Sequence, residues 1–143
     1  MTDDLKKYVK CHIYNSKLGF LLLRRASHDT HGGVWESVGG GVDKEDACVA
    51  TAAVREVLEE SGINLSSKPM HQCVLPLIDS ESKVKFEGHL FLAMVDDGVV
   101  VDLSENPDHD DYAWVKHEEL PKFLGEGKQI DSWTMTQLAI TSH

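Results

Sequence analysis

The sequence predicts a single domain of the α/β (α+β) class, in which a mixed β-sheet lies between helices. Short apolar segments alternate with two or three helical segments, and one amphipathic helix lies near the middle of the chain. Neither repeats nor low-complexity segments interrupt this order. With 143 residues and 41% hydrophobic content, the chain can bury one substantial core but is short for two. We therefore assign residues 1–143 to one domain.

The N-terminal half of the chain predicts a β-hairpin followed by an extended piece and a long helix. The expected elements, in chain order, are a strand at residues 8–14, a hairpin turn at 15–19, a strand at 20–23, an extended piece at 34–38 and a helix from about 46 to 61. Three glycines at residues 39–41 predict a turn before the helix. The helix is expected to end at Gly62, because glycine readily adopts the left-handed conformation that closes a helix.

The C-terminal half predicts further strands and a closing helix. The expected elements are strands at residues 70–77 and 84–95 with a polar turn at 79–82 between them, a short strand at 112–115, a helical turn at 118–123 and a helix at 131–140. Pro121 is expected to break the helical turn, because a proline inside a helix removes a backbone hydrogen bond. Asp131 is expected to cap the closing helix through its carboxylate.

The predicted long helix carries glutamates on one side and small apolar residues on the other. At about 100° per residue, Glu56, Glu59 and Glu60 fall within one arc, whereas Ala53 and Val57 point roughly the other way. Like charges at this spacing repel each other. In a partly closed cleft, two carboxylates about 6 Å apart cost roughly 3 kcal/mol at an effective dielectric of about 20. A hard divalent cation between the carboxylates would relieve this repulsion.

Residues 41–63 resemble the signature box of the Nudix hydrolases, MutT-like enzymes that use Mg²⁺ to split a diphosphate linked to another moiety. The resemblance covers the Arg-Glu-x-x-Glu-Glu-x-Gly core, here residues 55–62, and the aliphatic Ile63 that closes it. It implies the α/β/α sandwich of the Nudix fold. It also implies Mg²⁺-dependent hydrolysis of a phosphoanhydride bond in a nucleoside di- or triphosphate or a related nucleoside diphosphate derivative. Two alternatives stay open: a Nudix-like module that binds or senses a nucleotide with weak or no catalysis, and an acidic protein whose helix merely resembles the box.

The resemblance also implies which residues act on the metal. Glu56 and Glu60 would be the principal ligands of Mg²⁺, with Mn²⁺ as an alternative ion, and Glu59 would support a second or third ion. The carbonyl oxygen of Gly40 would complete the ligand shell, or that of Gly39 if an extra residue lies later in the turn. Glu56 is the first candidate for the general base that takes a proton from water.

A second candidate base lies at residues 108–114, which resemble an acidic-His-x-Asp-aromatic-x-Trp stretch found before the last strand of many Nudix proteins. In that stretch the leading acid, here Asp108, approaches the metals from a loop. The alternative is an ordinary acidic loop. A further alternative makes His109 a catalytic imidazole.

The box departs from the family pattern at one position. The family carries a glutamate eight residues before its arginine, and this position is Ala47, with Asp46 and Glu45 beside it. Either the turn holds an extra residue and Asp46 takes the role, which we favour, or the role is lost. In the family this acid braces the arginine, here Arg55. Arg55 itself is expected to orient the carboxylates by ion pairing rather than to touch the substrate.

Two residues outside the box are candidates for binding the substrate. Arg25 ends the second predicted strand, and its guanidinium fork suits phosphate oxygens. The alternative for Arg25 is a solvated strand end. Trp35 is a candidate for stacking on a base, although an aromatic residue beside a sheet more often packs in the core.

Composition and charge limit the classes of molecule that the protein is expected to bind. The net charge of -10 argues against a nucleic-acid polymer, because the phosphate backbone would be repelled, whereas a small nucleotide is compatible when metal ions lie between the negative groups. No segment approaches the roughly 20 apolar residues needed to span a bilayer, and the start of the chain has no apolar signal segment. We therefore expect a cytoplasmic protein without a membrane partner. Three widely spaced cysteines indicate neither a disulfide framework nor a zinc site, and a homodimer stays open.

Overall fold

The structure is a computed structural model that describes residues 6–29, 31–78, 83 and 85–141. The strands in these ranges are β1 (Lys6–Asn15), β2 (Gly19–Arg25), β3 (Trp35–Glu36), β4 (Val38–Gly41), β5 (Met70–Ile78), β6 (Lys85–Met94) and β7 (His109–Val115). The helices are α1 (Val49–Ser61), α2 (Leu120–Gly125) and α3 (Ser132–Thr141), and a 3₁₀ turn at His117–Glu119 leads into α2. No helix in the described ranges is long and apolar enough to cross a membrane.

Strand β1 lies at the centre of one mixed sheet. It pairs in parallel with β6 along nearly its whole length, from Lys6 opposite Phe86 to Tyr14 opposite Met94. On its other edge, β1 pairs antiparallel with β4 in its first half and with β2 at its end. Strands β3 and β7 extend the sheet from β2, and β5 extends it from β6. The predicted mixed sheet is therefore confirmed.

Alternate residues of β1 face two different helical layers. Val9 is buried in an apolar cluster with Ala53 and Val57 of α1. The next residue, Lys10, points to the opposite face, where its ammonium group lies 5.7 Å from the centre of the Trp133 ring of α3. The sheet is thus held between α1 and α3, which confirms the predicted sandwich.

The prediction of a glycine turn at residues 39–41 is wrong. These glycines belong to strand β4, where Gly40 pairs with Val9 of β1. Glycine in a strand often marks a place where another group approaches the backbone closely. Here a Cβ atom on Gly40 would overlap the carboxyl group of Glu56, so the glycine permits close packing rather than a reversal of the chain.

Helix α1 begins at Val49, so that Asp46 lies in the preceding loop instead of the first helical turn. The end of α1 is as predicted. Gly62 has a φ of 75°, and its N–H donates to the carbonyl of Leu58 at 3.0 Å. The helix that carries the box glutamates is therefore shorter than expected only at its start.

The C-terminal elements follow the prediction with one correction. Pro121 does not break the helical turn, because it lies in the first turn of α2, where a missing N–H costs no hydrogen bond. Asp131 caps α3 as expected by accepting the N–H of Thr134 at 3.0 Å. Strands β5, β6 and β7 correspond to the three predicted strands. The polar turn expected at residues 79–82 lies outside the described residues.

Candidate active site

Helix α1 crosses close to strand β4, and this crossing brings glutamates against a glycine backbone. The carboxyl group of Glu56 occupies the space that a side chain at residue 40 would need. One turn further along α1, Oε1 of Glu60 accepts the N–H of Gly39 at 3.1 Å. Glu59 lies beside them on the exposed side of the helix. We call Glu56, Glu59 and Glu60 the carboxylate cluster.

The carboxylate cluster is short of positive charge. Burial raises the pKa of Glu56 to about 7, and repulsion from Glu60 and Glu59 adds to this rise while Arg55 opposes it. Burial also raises the pKa of Glu60, although His109 and a backbone N–H act in the opposite direction. The surrounding protein thus disfavours the ionised forms of Glu56 and Glu60.

Arg55 is the cation that braces this cluster. Its Nε and Nη2 atoms donate to the two oxygens of Asp46 at 3.1 Å and 2.9 Å. Its Nη1 atom contacts Glu56 at 3.2 Å and Glu59 at 3.1 Å, and Nη2 also donates to the carbonyl of Gly41 at 2.9 Å. This forked pair with Asp46 is the contact expected if Asp46 stands in for the displaced box acid, and it lowers the pKa of Asp46.

The donor chemistry of the cluster fits a hard divalent cation, which prefers carboxylate and carbonyl oxygens. Among the described residues, however, no three His, Cys, Asp or Glu side chains converge tightly enough to hold a metal ion. The contacts explain this spacing: Arg55 holds Glu56 and Glu59, and a backbone N–H holds one oxygen of Glu60. Each carboxylate can accept at more than one position, so these contacts leave it able to bind a cation as well.

Two adjoining hollows open beside the cluster. The acidic recess, about 450 Å³, is lined by the carboxylate cluster and by the loop before β7. The aromatic cleft, about 570 Å³, is lined by Tyr8, Phe86 and Trp133 among others. Four residues line both hollows: Gly39, Gly40, Glu60 and Asp108. One molecule is therefore able to contact carboxylates with one end and aromatic rings with the other.

The rings of the aromatic cleft come from three separate elements, β1, β6 and α3. The centre of the Tyr8 ring lies 5.0 Å from that of Phe86 and 6.4 Å from that of Trp133. Such a group of rings offers a surface on which a flat, apolar part of a ligand stacks. No local sequence pattern identifies this group, because its members meet only in the folded protein.

An ion-pair network, formed by Lys10, Arg25, Glu36 and His109, runs along the aromatic cleft. Oε1 of Glu36 accepts hydrogen bonds from Lys10 and Arg25, both at 2.9 Å, and Oε2 lies 2.8 Å from Nε2 of His109. Burial alone would raise the pKa of Glu36. The hydrogen bond from His109 and the charges of Lys10 and Arg25 outweigh it and hold this pKa well below its ordinary value.

The two predicted substrate residues lie in different places. Arg25 lines the aromatic cleft, but its guanidinium group is already paired with Glu36 at 2.9 Å and with Asp29 at 3.4 Å. Trp35 lines neither hollow. Its side chain is 4% exposed and packs edge-on against Phe123, with the ring centres 5.3 Å apart. This burial favours the core role of Trp35 over stacking on a base, because a buried ring has no free face.

The segment before β7 brings Asp108 to the site, where it lines both hollows. Its neighbour His109 is buried, and both of its ring nitrogens have partners. Nε2 faces Glu36 at 2.8 Å, and Nδ1 faces Nδ2 of Asn106 at 3.0 Å. A catalytic imidazole needs a nitrogen that reaches the reacting atoms, so these contacts argue against a catalytic role for His109.

Sequence reasoning did not single out Lys10 and Glu36 of the ion-pair network, or Asn106 beside it. A signal existed for Lys10, which interrupts an apolar strand, because a buried lysine requires an opposite charge. The partner, Glu36, is 26 residues away, and no local pattern identifies it. Asn106 gave no signal at all, since asparagine before proline is common in turns.

Comparison with known proteins identifies relatives of this architecture. The family profile described as NUDIX domain matches residues 5–135. A MutT NUDIX hydrolase from Burkholderia pseudomallei is 23% identical, with a TM-score of 0.78, over 98% of this chain and 100% of that chain. The MutT protein from Methanosarcina mazei Go1 is 28% identical, with a TM-score of 0.65, over 87% of this chain and 84% of that chain. An Ap4A hydrolase from C. elegans is 24% identical, with a TM-score of 0.68, over 96% of each chain. A search of curated protein sequences finds no match.

Proposed function

Because the chain belongs to the NUDIX domain family and is a Nudix hydrolase, we propose that it cleaves a phosphoanhydride bond in a nucleoside di- or triphosphate or a related nucleoside diphosphate derivative. We propose Mg²⁺ as its cofactor, with Mn²⁺ as the alternative ion. The observation that carries the proposal is the carboxylate cluster, which contacts the glycine backbone of β4 and in which the pKa of Glu56 is raised. It adjoins a cleft with three aromatic rings.

Hydrolysis of a phosphoanhydride needs neutralised phosphate oxygens, a water molecule in line and a group that accepts its proton. Glu56 and Glu60 would hold the principal ion, Glu59 would support a further one, and Gly40 would supply a carbonyl oxygen. When bound, Mg²⁺ would neutralise charge on the phosphates and make the water a stronger nucleophile. The chain itself would hold these ligands in place through the ion pairs of Arg55.

Glu56 is our first candidate for the proton acceptor, because its carboxyl group lines the acidic recess between Gly40 and Arg55. Asp108 is the second candidate, since it lines the same recess from the opposite loop. In the aromatic cleft, Tyr8, Phe86 and Trp133 would stack on a base or a similar flat group. Arg25 would exchange its longer contact with Asp29 for a phosphate oxygen.

The substrate class is tested with a panel of nucleoside di- and triphosphates and nucleoside diphosphate derivatives. The C. elegans neighbour is an Ap4A hydrolase, so a dinucleoside tetraphosphate belongs in this panel. Released phosphate and pyrophosphate are measured with and without Mg²⁺, and the products are separated by chromatography. We expect turnover that requires the metal.

The decisive variant is Glu60→Gln, which removes the charge of a principal metal ligand while keeping its shape. We expect it to lower turnover by roughly 100-fold or more. The matched control is Glu45→Gln, which changes an exposed glutamate outside both hollows and is expected to retain activity. Metal-dependent nucleotide binding without turnover in the wild-type protein would contradict the hydrolase proposal and support a binding module instead.

A further inference from the structure

Asn106 is a buried amide in the loop before β7, and its side chain uses both donors and its acceptor oxygen. Nδ2 donates to the carbonyl oxygen of Glu60 at 2.8 Å and to Nδ1 of His109 at 3.0 Å. Oδ1 accepts the N–H groups of Asp108 at 3.0 Å and His109 at 3.2 Å. The side chain therefore joins the last turn of α1 to the backbone at Asp108.

The orientation of this amide follows from its backbone partners. A carbonyl oxygen only accepts hydrogen bonds and an N–H only donates, so the amide nitrogen faces Glu60 and the amide oxygen faces the N–H groups of Asp108 and His109. Nε2 of His109 faces Glu36 at 2.8 Å, and Nδ1 of the same ring lies 3.0 Å from the amide nitrogen of Asn106. Because Lys10 and Arg25 fix Glu36 in turn, a chain of hydrogen bonds runs from β1 and β2 to the end of α1.

Asp108 stands at the centre of these contacts. Asp108 lines both hollows, as Glu60 does, and its backbone N–H donates to Asn106, which is also hydrogen-bonded to the carbonyl oxygen of Glu60. We propose that Asn106 is a positioning residue for hydrolysis, which sets Asp108 at a fixed place opposite the carboxylate cluster. This inference rests on the proposed function, because it concerns the same site.

Asn15 provides a matched control that lines neither hollow. Its Nδ2 donates to the carbonyl of Val95 and to Asp97, both at 3.1 Å. Its Oδ1 accepts the N–H groups of Lys17 at 2.9 Å and Leu18 at 3.1 Å. Both asparagines are buried, and both organise a loop with two donated and two accepted hydrogen bonds. Alanine at either position is therefore expected to cost similar stability, while only residue 106 is connected to the site.

The first test compares kcat and KM of Asn106→Ala and Asn15→Ala on the best substrate of the panel. Residues that orient metal ligands typically contribute 10–100-fold, so we expect kcat to fall by roughly 10–100-fold in Asn106→Ala with KM within about threefold. Asn15→Ala is expected to keep kcat within about twofold. If the alanine variant does not fold, Asn106→Asp replaces it: this variant keeps both acceptor contacts but loses the donated bond to Glu60, so a fall in kcat is again expected and wild-type kcat overturns the inference. Wild-type kcat in Asn106→Ala, or an equal loss in Asn15→Ala, overturns the inference.

A second test does not depend on turnover. Amide hydrogen exchange at Asp108 and His109 is expected to be faster in Asn106→Ala, because both N–H groups lose their acceptor. Binding of Mn²⁺, measured by electron paramagnetic resonance, is expected to weaken by roughly 10-fold in this variant and to stay unchanged in Asn15→Ala. Unchanged exchange and Mn²⁺ affinity overturn the inference. If the wild-type protein turns over no nucleotide, the proposed function fails, and the Mn²⁺ affinities alone decide the inference.

Discussion

Glu36 and Glu56 are both buried glutamates near strand β4, yet their surroundings differ in charge. Glu36 belongs to the ion-pair network, whose cations hold its pKa well below the ordinary value. Glu56 belongs to the carboxylate cluster, which shares the one guanidinium group of Arg55, and burial raises its pKa to about 7. The protein thus neutralises the carboxylate of Glu36 with its own cations and leaves the carboxylate of Glu56 short of counter-charge.

The difference separates a structural charge from one that is available to a ligand. A buried carboxylate with full partners contributes to holding β-strands together, and removing it leaves its cations buried without a counter-charge. A buried carboxylate without full partners destabilises the free protein, and a bound cation relieves that cost.

The largest expected effect on stability comes from replacing Glu36. Glu36→Gln removes the charge that pairs with buried Lys10 and is expected to lower the free energy of unfolding by about 3 kcal/mol, the cost of leaving a buried cation without its partner. Urea unfolding at pH 7 measures the change. The control is Glu126→Gln, which breaks an exposed pair with Lys128 and is expected to have only a small effect. Equal losses in the two variants would remove the distinction drawn for Glu36.

The second prediction concerns Mg²⁺ and Glu56. At a Mg²⁺ concentration 100 times the dissociation constant, the wild-type protein is expected to gain about 2.7 kcal/mol of stability, and Glu56→Gln is expected to lose most of this gain. Without metal, Glu56→Gln is expected to melt at a higher temperature than the wild type, because a neutral amide needs no counter-charge. Thermal melts with Mg²⁺ and with chelator measure both effects, and Glu45→Gln serves as the control. A lower melting temperature for metal-free Glu56→Gln would show that the Glu56 carboxylate stabilises the free protein, contrary to this prediction.

The smallest expected effect is the pH dependence that Glu36 causes. Its pKa is lower in the folded than in the unfolded protein, so its stabilising contribution is complete above the ordinary glutamate pKa and is lost as the pH falls below that value. The loss is at most about 1.4 kcal/mol per pH unit. Urea unfolding between pH 5 and 3 should give a shallower acid slope for Glu36→Gln than for the wild type. Parallel slopes would mean that other groups cause the acid sensitivity.

Much of the fold was predictable because its signals are local. Two short strand-forming segments on either side of a polar turn identified β1 and β2, and the spacing of Glu56, Glu59 and Glu60 identified one face of α1. The glycines of β4 misled the prediction, because a glycine run that permits close packing has the same composition as a turn. Nothing in the sequence separates these two uses until the position of Glu56 is known.

The candidate site was predictable only on its acidic side. The carboxylate cluster lies on one helix, so its spacing along the chain reports its geometry. The ion-pair network and the aromatic rings join residues from different strands and helices, such as Lys10 with Glu36 and Tyr8 with Trp133. Their contacts depend on strand register and on the placement of α3, which the sequence pattern does not specify. The sequence pattern therefore suggested Trp35 for stacking on a base, whereas the rings that line the cleft are those of Tyr8, Phe86 and Trp133.

The crossing of β4 and α1 also limits how this surface can diversify. Gly40 and Gly41 are neighbours in one strand, but a methyl group on the first would occupy the space of the Glu56 carboxyl group, whereas a methyl group on the second would meet no atom within 4 Å. A side chain at residue 40 would displace the carboxyl group of Glu56 from the site, so a library of random substitutions selected for turnover should be depleted at residue 40 and permissive at residue 41. Under such selection, a lineage that descends from this protein varies the second glycine more readily than the first.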